Sequence, residues 1–211
     1  FTTYITQILM SLMMVSMLFL QLSRALASST RITEVLKTDV DLTDENAGKK
    51  DKKVENGRVE FKNVSFKYYE KRKENVLENI SFTAEPGEIV GIIGTTGSGK
   101  SSLVQLIPRL YDVTDGEVLV DGVNVKDYGL KNLRDGVGMV LQKNVLFSGS
   151  IEENLRWGDE NATMEEIRAA ADAAQADGFV NAFTDGYNME LGQGGVNVSG
   201  GQKQRLCIAR A

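Results

Sequence analysis

The sequence contains no histidine and a single cysteine, Cys207, among its 211 residues. Catalytic triads that depend on imidazole are therefore excluded, as are Cys/His zinc sites and disulfides within the chain. Only 2 prolines stand against 21 glycines, while 42% of the residues are hydrophobic and 25% are charged. Collagen-like and disordered chains have a different composition. We therefore expect a folded domain in which several glycines serve specific backbone conformations.

Basic residues are also outnumbered, with 24 Lys and Arg against 29 Asp and Glu and a formal net charge of -5. Proteins that bind nucleic acid through its phosphates cluster Lys and Arg on one face. We therefore predict no nucleic-acid partner, and any anion that the protein binds must be held by a local site.

Residues 1–23 lack Lys, Arg, Asp and Glu, and the first charged residue is Arg24. About 20 helical residues cross a hydrocarbon core of roughly 30 Å, so this run predicts a membrane span in contact with lipid. A helical pattern continues to Leu36, and Arg24 and Arg31 after the span predict a cytoplasmic exit. Residues 1–37 are thus predicted to form a membrane helix and its cytoplasmic extension.

Within this run, Thr3, Gln7 and Ser11 recur every four residues and predict one polar stripe along the helix. Hydrogen bonding to a neighbouring membrane helix is one interpretation of the stripe. Lining of a substrate cavity is the other.

The composition then changes twice and predicts a linker followed by strands. Residues 38–57 are dense in charged residues, Asn and Gly, which predicts a solvated linker whose charges need no partner. Alternating apolar residues predict half-buried strands at 58–66 and 79–85. The apolar runs 88–94 and 136–142 instead predict strands that are buried on both faces.

Helices and one hairpin complete the predicted elements. A helix is expected over 100–110, and a hairpin turn is expected at 121–122, where the sequence is Asp-Gly. Residues 151–183 have helical periodicity and include a T-x-x-E capping box that starts at Thr163. Residues 58–211 are therefore predicted to form an α/β domain with a helical insert.

Residues 94–101, GTTGSGKS, match the phosphate-binding pattern G-x-x-x-x-G-K-[ST], between a predicted strand and a predicted helix. Glycines let the backbone turn its N–H groups toward a phosphate. Lys100 supplies a positive charge to the β- and γ-phosphates, and the Ser101 hydroxyl is suited to bind Mg²⁺. The nucleotide-binding residues predicted here are Gly94, Thr95, Thr96, Gly97, Ser98, Gly99, Lys100, Ser101 and Ser102.

Three elements outside the loop bear on the same site. Tyr68 follows an alternating strand, where its ring either stacks on an adenine or is a strand-end aromatic at the domain edge. Gln142 ends an apolar run, where its amide is suited to contact Mg²⁺ or the attacking water. Ser199 is a natural N-cap for the helical stretch that follows it, and two glycines leave the helix N–H groups open to an anion. This second predicted anion-binding end comprises Ser199, Gly200, Gly201 and Gln202.

Together these motifs resemble the ABC-type ATPases, specifically exporters in which a membrane domain precedes the nucleotide-binding domain. GTTGSGKSS resembles the Walker A motif, and VSGGQ is similar to the LSGGQ signature. Tyr68 lies where the family has its adenine-stacking aromatic, and Gln142 is placed like the Q-loop glutamine. ASSTRITEVL resembles the cytoplasmic end of the last membrane helix in such exporters, so the resemblance extends over nearly the whole chain.

The resemblance implies a P-loop NTPase core with an antiparallel β subdomain and a helical subdomain, preceded by one transmembrane helix with a cytoplasmic extension. It implies ATP and Mg²⁺ as ligands, with Lys100 and Gln142 as catalytic residues and Ser101 and Gln142 as metal ligands. ATP binds between two chains paired head to tail, so Ser199–Gln202 act in trans. The implied partners are a second half-transporter, identical or different, membrane lipid and a transported small molecule. The implied location is the cell membrane, in a multi-pass protein with a cytoplasmic nucleotide-binding domain.

Two departures from the family pattern bear on activity. Gln193 and Gly194 replace Glu and Arg of the exporter segment TEVGERG, which puts its usual cross-domain ionic contacts in doubt. In the family, the Walker B carboxylates and the switch His follow the signature helix, and the 211 residues stop short of them. We therefore expect a fragment of a longer half-transporter, cut at both ends, that does not hydrolyse ATP efficiently by itself.

The motifs leave alternative functions open. QGGVNVSGGQKQRLCIARA resembles the half of heterodimeric bacterial exporters that keeps the signature while its own Walker B is impaired, so a non-hydrolysing regulatory half is one alternative. A soluble ABC ATPase of DNA repair or translation is another, although such proteins should lack the uncharged run at the N-terminus. An importer ATPase on a separate subunit is disfavoured by the fused helix.

Overall fold

The computed structural model describes residues 1–40, 42–69 and 73–211. These divide into two compact units, Phe1–Asn46 and Ala47–Ala211. The first unit contains helix α1 (Thr2–Leu36), which confirms the predicted helix and has no buried residue. Among the described residues it is the one helix long and apolar enough to cross a membrane, with a mean hydropathy of 1.8 over its 18-residue window.

The second unit contains an antiparallel sheet, a small two-stranded sheet and several short helices. Its strands are β1 (Val59–Phe66), β2 (Leu77–Ala84), β3 (Asp115–Val120), β4 (Val123–Asn124), β5 (Gly149–Ser150) and β6 (Glu190–Leu191). Its helices are α2 (Lys100–Gln105), α3 (Leu130–Asp135), α4 (Ile151–Arg156), α5 (Met164–Ala173), α6 (Asp177–Asn181) and α7 (Gly200–Arg210), with 3₁₀ turns at Val125–Asp127 and Gly186–Asn188.

The larger sheet has the strand order β2-β1-β3-β4, and every pairing in it is antiparallel. Phe61 of β1 pairs with Phe82 of β2 and Val118 of β3, and the Phe61 and Phe82 rings stack with centroids 4.7 Å apart. The predicted half-buried strands are therefore confirmed. Asp121 and Gly122 have φ values of 49° and 72°, which is the conformation that a tight two-residue hairpin turn requires.

A second apolar cluster is formed by helices α4, α5 and α7 and the segments between them. The helices are capped by Ser150, Thr163 and Ser199. In each cap the hydroxyl oxygen accepts a hydrogen bond from the backbone N–H of the residue three positions later. The side chain of that later residue accepts from the backbone N–H of the capping residue. Each box satisfies backbone N–H groups that the first helical turn leaves without partners. The capping box predicted at Thr163 is thus confirmed.

The two apolar runs predicted as buried strands are not strands in the structure. Residues 88–94 and 136–142 have neither helix nor strand. Ile89 and Ile93 are 97% and 98% exposed, and Leu141 is 51% exposed. The prediction was wrong because a strand forms only when a neighbouring strand accepts its hydrogen bonds, and no strand in the described ranges pairs with either run.

The helix that follows the phosphate loop is also shorter than predicted. It begins at Lys100, as expected, but ends at Gln105 instead of Leu110. The next residues form turns, and Arg109 has a φ of 49°. Pro108 explains the early end, because a proline disfavours helical geometry in the residue before it and cannot donate a backbone hydrogen bond.

The second half of the predicted linker is not a free solvated segment. Residues 47–58, here called the strap, lie against the α3 region of the second unit. The Lys49 backbone N–H donates to Asp127 O at 2.8 Å, and Asn132 Nδ2 donates to Lys50 O at 2.6 Å. These contacts use the backbone of the strap, which explains why its charged side chains gave no indication of them.

Two glycines at the ends of α3 make room for the strap. A Cβ at Gly129 would lie 2.7 Å from Lys50 O, and a Cβ at Gly136 would lie 2.5 Å from Val54 Cβ. Neither glycine has a positive φ, so the backbone conformation does not require them. Close approach of the strap is therefore the physical reason for glycine at both positions.

Asp121 fastens the other end of the strap. Its carboxylate accepts hydrogen bonds from the backbone N–H groups of Glu55 at 2.7 Å, Asn56 at 3.0 Å and Arg58 at 3.0 Å. Burial opposes ionisation of the carboxyl, but the backbone N–H donors outweigh it and hold the pKa of Asp121 below its usual value. The ionised form is therefore the one that the folded strap favours.

We expect Asp121→Asn to destabilise the second unit by about 1–2 kcal/mol at pH 7. The amide keeps one uncharged acceptor oxygen, and its Nδ2 cannot accept from the backbone N–H groups that now bond to two carboxylate oxygens. Asn tolerates the positive φ of this turn, so backbone strain does not contribute. Since the pKa of Asp121 is lowered by folding, its stabilisation is present above the unfolded pKa near 3.8 and is lost as the pH falls through the folded value.

Thermal unfolding measures this effect, and we expect the Asp121→Asn midpoint to fall by about 2–8 °C at pH 7. The difference from wild type should shrink as the pH is lowered toward 3. Asp185→Asn removes the same charge from an exposed position and is the matched control. Equal midpoints for wild type and Asp121→Asn at pH 7 would contradict the anchoring role.

Candidate functional site

The phosphate loop is closed by its own lysine. Lys100 Nζ donates to Gly94 O at 2.8 Å and to Thr95 O at 2.7 Å, with Ser98 Oγ at 3.4 Å. The ammonium therefore sits at the centre of residues 94–99, in the position that the pattern predicts for a phosphate-binding cation. These contacts stabilise the shape of the loop.

Glycine conformation shapes the same loop. Gly97 and Gly99 both have a φ of 85°, which residues with a side chain rarely adopt. No heavy atom lies within 4 Å of a Cβ built on Gly97, so the tip of the loop is open. A Cβ on Gly99 would instead lie 2.8 Å from Leu77 Cδ2 and 3.0 Å from Val76 O. The base of the loop thus rests on the start of β2 while its tip stays free.

Helix α2 presents two consecutive serines in its first turn, and they differ in environment. Ser101 is exposed, as a metal-binding hydroxyl must be, whereas Ser102 is only 6% exposed. Ser102 Oγ lies 2.7 Å from the hydroxyl of Tyr68. The structure therefore brings the predicted aromatic Tyr68 into direct contact with the helix of the phosphate loop, although the two residues are 34 positions apart.

Gln142 is not brought to this site by any hydrogen bond within the described part of the chain. Its side chain is exposed, and the surrounding residues 136–145 form neither helix nor strand. The cause is the same as for the missing strand: the run that should carry Gln142 has no pairing neighbour. The predicted roles of Gln142 toward Mg²⁺ and the attacking water remain predictions.

The signature end is a regular, exposed helix N-terminus. Gln202 N donates to Ser199 Oγ at 3.3 Å, and Ser199 N donates to Gln202 Oε1 at 2.8 Å. Among the described residues, no heavy atom outside the adjoining helix lies within 4 Å of a Cβ built on Gly200 or Gly201, so both glycines border open space. In the single chain, this end and the phosphate loop share no hydrogen bond among the described residues, and the predicted role of Ser199–Gln202 in trans remains a prediction.

Two contributing residues were missed by the sequence analysis. Lys203 Nζ donates to Gly194 O at 2.8 Å and ties the loop before the signature to α7. The Tyr111 ring packs edge to face on Tyr68, with centroids 5.0 Å apart and planes at 87°. The four-residue spacing between Ser199 and Lys203 is a weak sequence signal that Lys203 lies near the start of the signature helix. No sequence signal indicates that Tyr111 packs on Tyr68.

A glycine-rich loop closed by lysine, followed directly by a helix, defines a P-loop nucleotide-binding protein. Residues 77–211 match the family model described as ABC transporter. The chain belongs to the ABC transporter family, and it contains the ATP-binding domain of that family.

Sequence similarity to known proteins agrees with membership in the ABC transporter family. The chain is 48% identical over 189 residues to the putative multidrug export ATP-binding/permease protein YgaD of Bacillus subtilis, which covers 90% of this chain and 32% of the relative. It is 44% identical over 189 residues to the ATP-dependent lipid A-core flippase of Pseudomonas aeruginosa, with coverage of 89% and 31%. The chain therefore spans about a third of the length of these relatives.

A solved structure described as a bacterial Atm1-family ABC exporter with ATP bound is similar in fold. Its TM-score is 0.81 at 33% identity, and the match covers 99% of this chain and 36% of that one. The predicted P-loop NTPase fold with its antiparallel sheet is therefore confirmed by the family and by this match. The family resemblance seen in the motifs is confirmed as well.

Proposed function

We propose that this chain is the ATP-binding portion of an ABC exporter subunit that couples ATP binding and hydrolysis to export across a membrane. The observation that carries the proposal is the preformed phosphate loop, with Lys100 Nζ within 2.8 Å of Gly94 O and Thr95 O. The relatives named as a multidrug exporter and a lipid A-core flippase support an amphipathic small molecule or lipid as the substrate class.

The loop residues fit a nucleotide triphosphate. On binding, the ammonium of Lys100 exchanges carbonyl partners for phosphate oxygens, which form stronger, charge-assisted hydrogen bonds. Backbone N–H groups of the loop and the N-terminus of α2 would supply further donors to the same ligand. Binding energy thus comes from donors that the fold has already oriented, so little entropy is lost in arranging them.

The donor set also fits Mg²⁺. Among the described residues no cluster of three or more carboxylate, Cys or His side chains is arranged to hold a metal ion. Mg²⁺ commonly binds through substrate phosphates with few protein ligands, and the exposed Ser101 hydroxyl supplies one such ligand beside the phosphates. When bound, Mg²⁺ neutralises charge that develops on the phosphates during transfer. Gln142 is proposed as a further ligand.

We propose that hydrolysis requires a second half-transporter, paired head to tail. Ser199 and the open N–H groups of Gly200 and Gly201 would then face the γ-phosphate bound to the other chain's loop. Gly200 and Gly201 are exposed in the single chain, which supports this arrangement, because a helix N-terminus favours an anion. The Walker B carboxylates are proposed to come from sequence outside these 211 residues.

We further propose that α1 crosses the cell membrane as the last span of a multi-pass domain, with the nucleotide-binding unit in the cytoplasm. Its fully exposed apolar surface suits contact with lipid. The hydroxyls of Ser11 and Ser16 donate to Gln7 O and Leu12 O at 2.9 and 3.0 Å, so they are satisfied within the helix. A soluble ABC ATPase does not account for this helix.

Reconstitution of the complete protein in liposomes tests the proposal. We expect Mg²⁺-dependent ATP hydrolysis together with ATP-driven movement of a fluorescent lipophilic cation or a labelled lipid. ADP and the absence of Mg²⁺ are the controls. Recovery of the protein in the soluble fraction without detergent, or absence of ATP binding, would contradict the proposal.

A further inference from the structure

The strongest unexplained contact near the site is the one between Tyr68 and Ser102. Tyr68 lies two residues past the end of β1, outside the strand, and 42% of it is exposed. Ser102 is almost fully buried and follows Ser101 in the first turn of α2. Their hydroxyl oxygens are 2.7 Å apart. An otherwise exposed ring is therefore tied to the helix that begins at the phosphate loop.

Two more rings hold the same side chain. Phe66 packs on Tyr68 with centroids 4.8 Å apart and planes at 77°, and Tyr111 does so at 5.0 Å and 87°. Both are edge-to-face arrangements, which aromatic pairs favour. Phe66 is 2% exposed and belongs to the core around the sheet, so the ring cluster has a fixed base. Rotation of Tyr68 would break contacts with both rings and the hydrogen bond.

Such fixation matters for a stacking residue. A partly exposed tyrosine that sampled several rotamers would lose that freedom when a base stacked on it, which weakens binding. A ring that is already held avoids this loss. The Tyr68 hydroxyl points at α2, so the ring and the phosphate loop are also fixed relative to each other.

We propose that Ser102 and Tyr111 are positioning residues for adenine binding: they hold the Tyr68 ring, so that the base and phosphate ends of the nucleotide bind to one rigid unit. This inference rests on the proposed function and on the prediction, drawn from the family resemblance, that Tyr68 stacks on the adenine. It adds that Tyr111, the Tyr68 hydroxyl and Ser102 together hold the ring on which the base stacks. These roles do not follow from the phosphate-loop pattern.

The test is the preference of the complete protein for non-hydrolysable ATP over inorganic tripolyphosphate, both with Mg²⁺, measured by calorimetry. Tripolyphosphate lacks the base, so any phosphate contact of Ser102 cancels in the ratio of the two dissociation constants. We expect Tyr68→Phe and Ser102→Ala each to lower the preference about three- to tenfold, the size expected for loss of one hydrogen bond. The double variant should lower it no further, because both changes remove the same contact.

Conservative variants and a matched control sharpen the result. Ser102→Thr keeps a hydroxyl and should restore the preference, and Tyr111→Phe should keep it while Tyr111→Leu lowers it. Tyr187→Phe removes a phenol hydroxyl that bonds to Asp177 Oδ1 at 2.6 Å in the helical cluster, and should leave the preference unchanged.

The outcomes separate this inference from the proposed function. An unchanged preference in Tyr68→Phe, or losses that multiply in the double variant, would overturn the inference while ATP binding stands. A wild-type protein that binds neither ligand would overturn the proposed function itself.

Discussion

Lys100→Ala is expected to lower the affinity of this chain's phosphate loop for ATP by about 100-fold or more. The change removes the cation that we propose binds phosphate through charge-assisted hydrogen bonds. It also removes the contacts to Gly94 O and Thr95 O that stabilise the loop. Equilibrium binding of ATP to the complete protein measures the loss.

The control for this variant is Lys131→Ala. Lys131 pairs with Asp135 on an exposed face of α3, so its removal deletes the same charge without touching the loop. ATP affinity in this control should match wild type within about twofold, since exposed pairs contribute little. ATP affinity that survives Lys100→Ala intact would mean that residues 94–101 do not bind the phosphates.

Ser199→Arg has the second large expected effect, and it separates binding from hydrolysis. The exposed helix end at Ser199 is proposed to cap ATP held by another chain, where an arginine side chain would block close approach. We expect ATP hydrolysis by the complete transporter to fall about 10²–10³-fold, the scale seen when a transition-state donor is lost. ATP affinity of each phosphate loop should change no more than about threefold.

Thr163→Arg is a closely matched control because Thr163 caps α5 with the same box that Ser199 forms on α7. Each variant loses a cap worth about 1 kcal/mol and gains one positive charge. Hydrolysis should persist in Thr163→Arg. Equal losses of activity in the two variants would show that Ser199 acts only as a helix cap.

Features set by neighbouring residues could be predicted from the sequence. The phosphate loop, the turn at Asp121-Gly122, the capping box at Thr163 and the N-cap at Ser199 each depend on a few consecutive positions. In each case the residue type supplies a backbone conformation or a hydrogen bond within four residues. These structures are therefore determined mainly by interactions between residues close together in the sequence.

Features that depend on distant residues could not be predicted in the same way. Residues 88–94 have the composition of a buried strand, but composition cannot supply a pairing neighbour. The contact between Tyr68 and Ser102 joins positions 34 residues apart, and the strap contacts α3 through backbone atoms that every residue shares. Side-chain patterns carry no information on contacts of this kind.

The strap has a practical consequence for anyone who expresses the nucleotide-binding unit alone. A recombinant domain that starts at Arg58 would leave the Asp121 carboxylate without the amides of Glu55 and Asn56 and would uncover the clefts at Gly129 and Gly136. A domain that starts at Ala47 keeps these contacts. We therefore expect the domain that starts at Arg58 to unfold at a lower temperature and to aggregate more readily than the one that starts at Ala47.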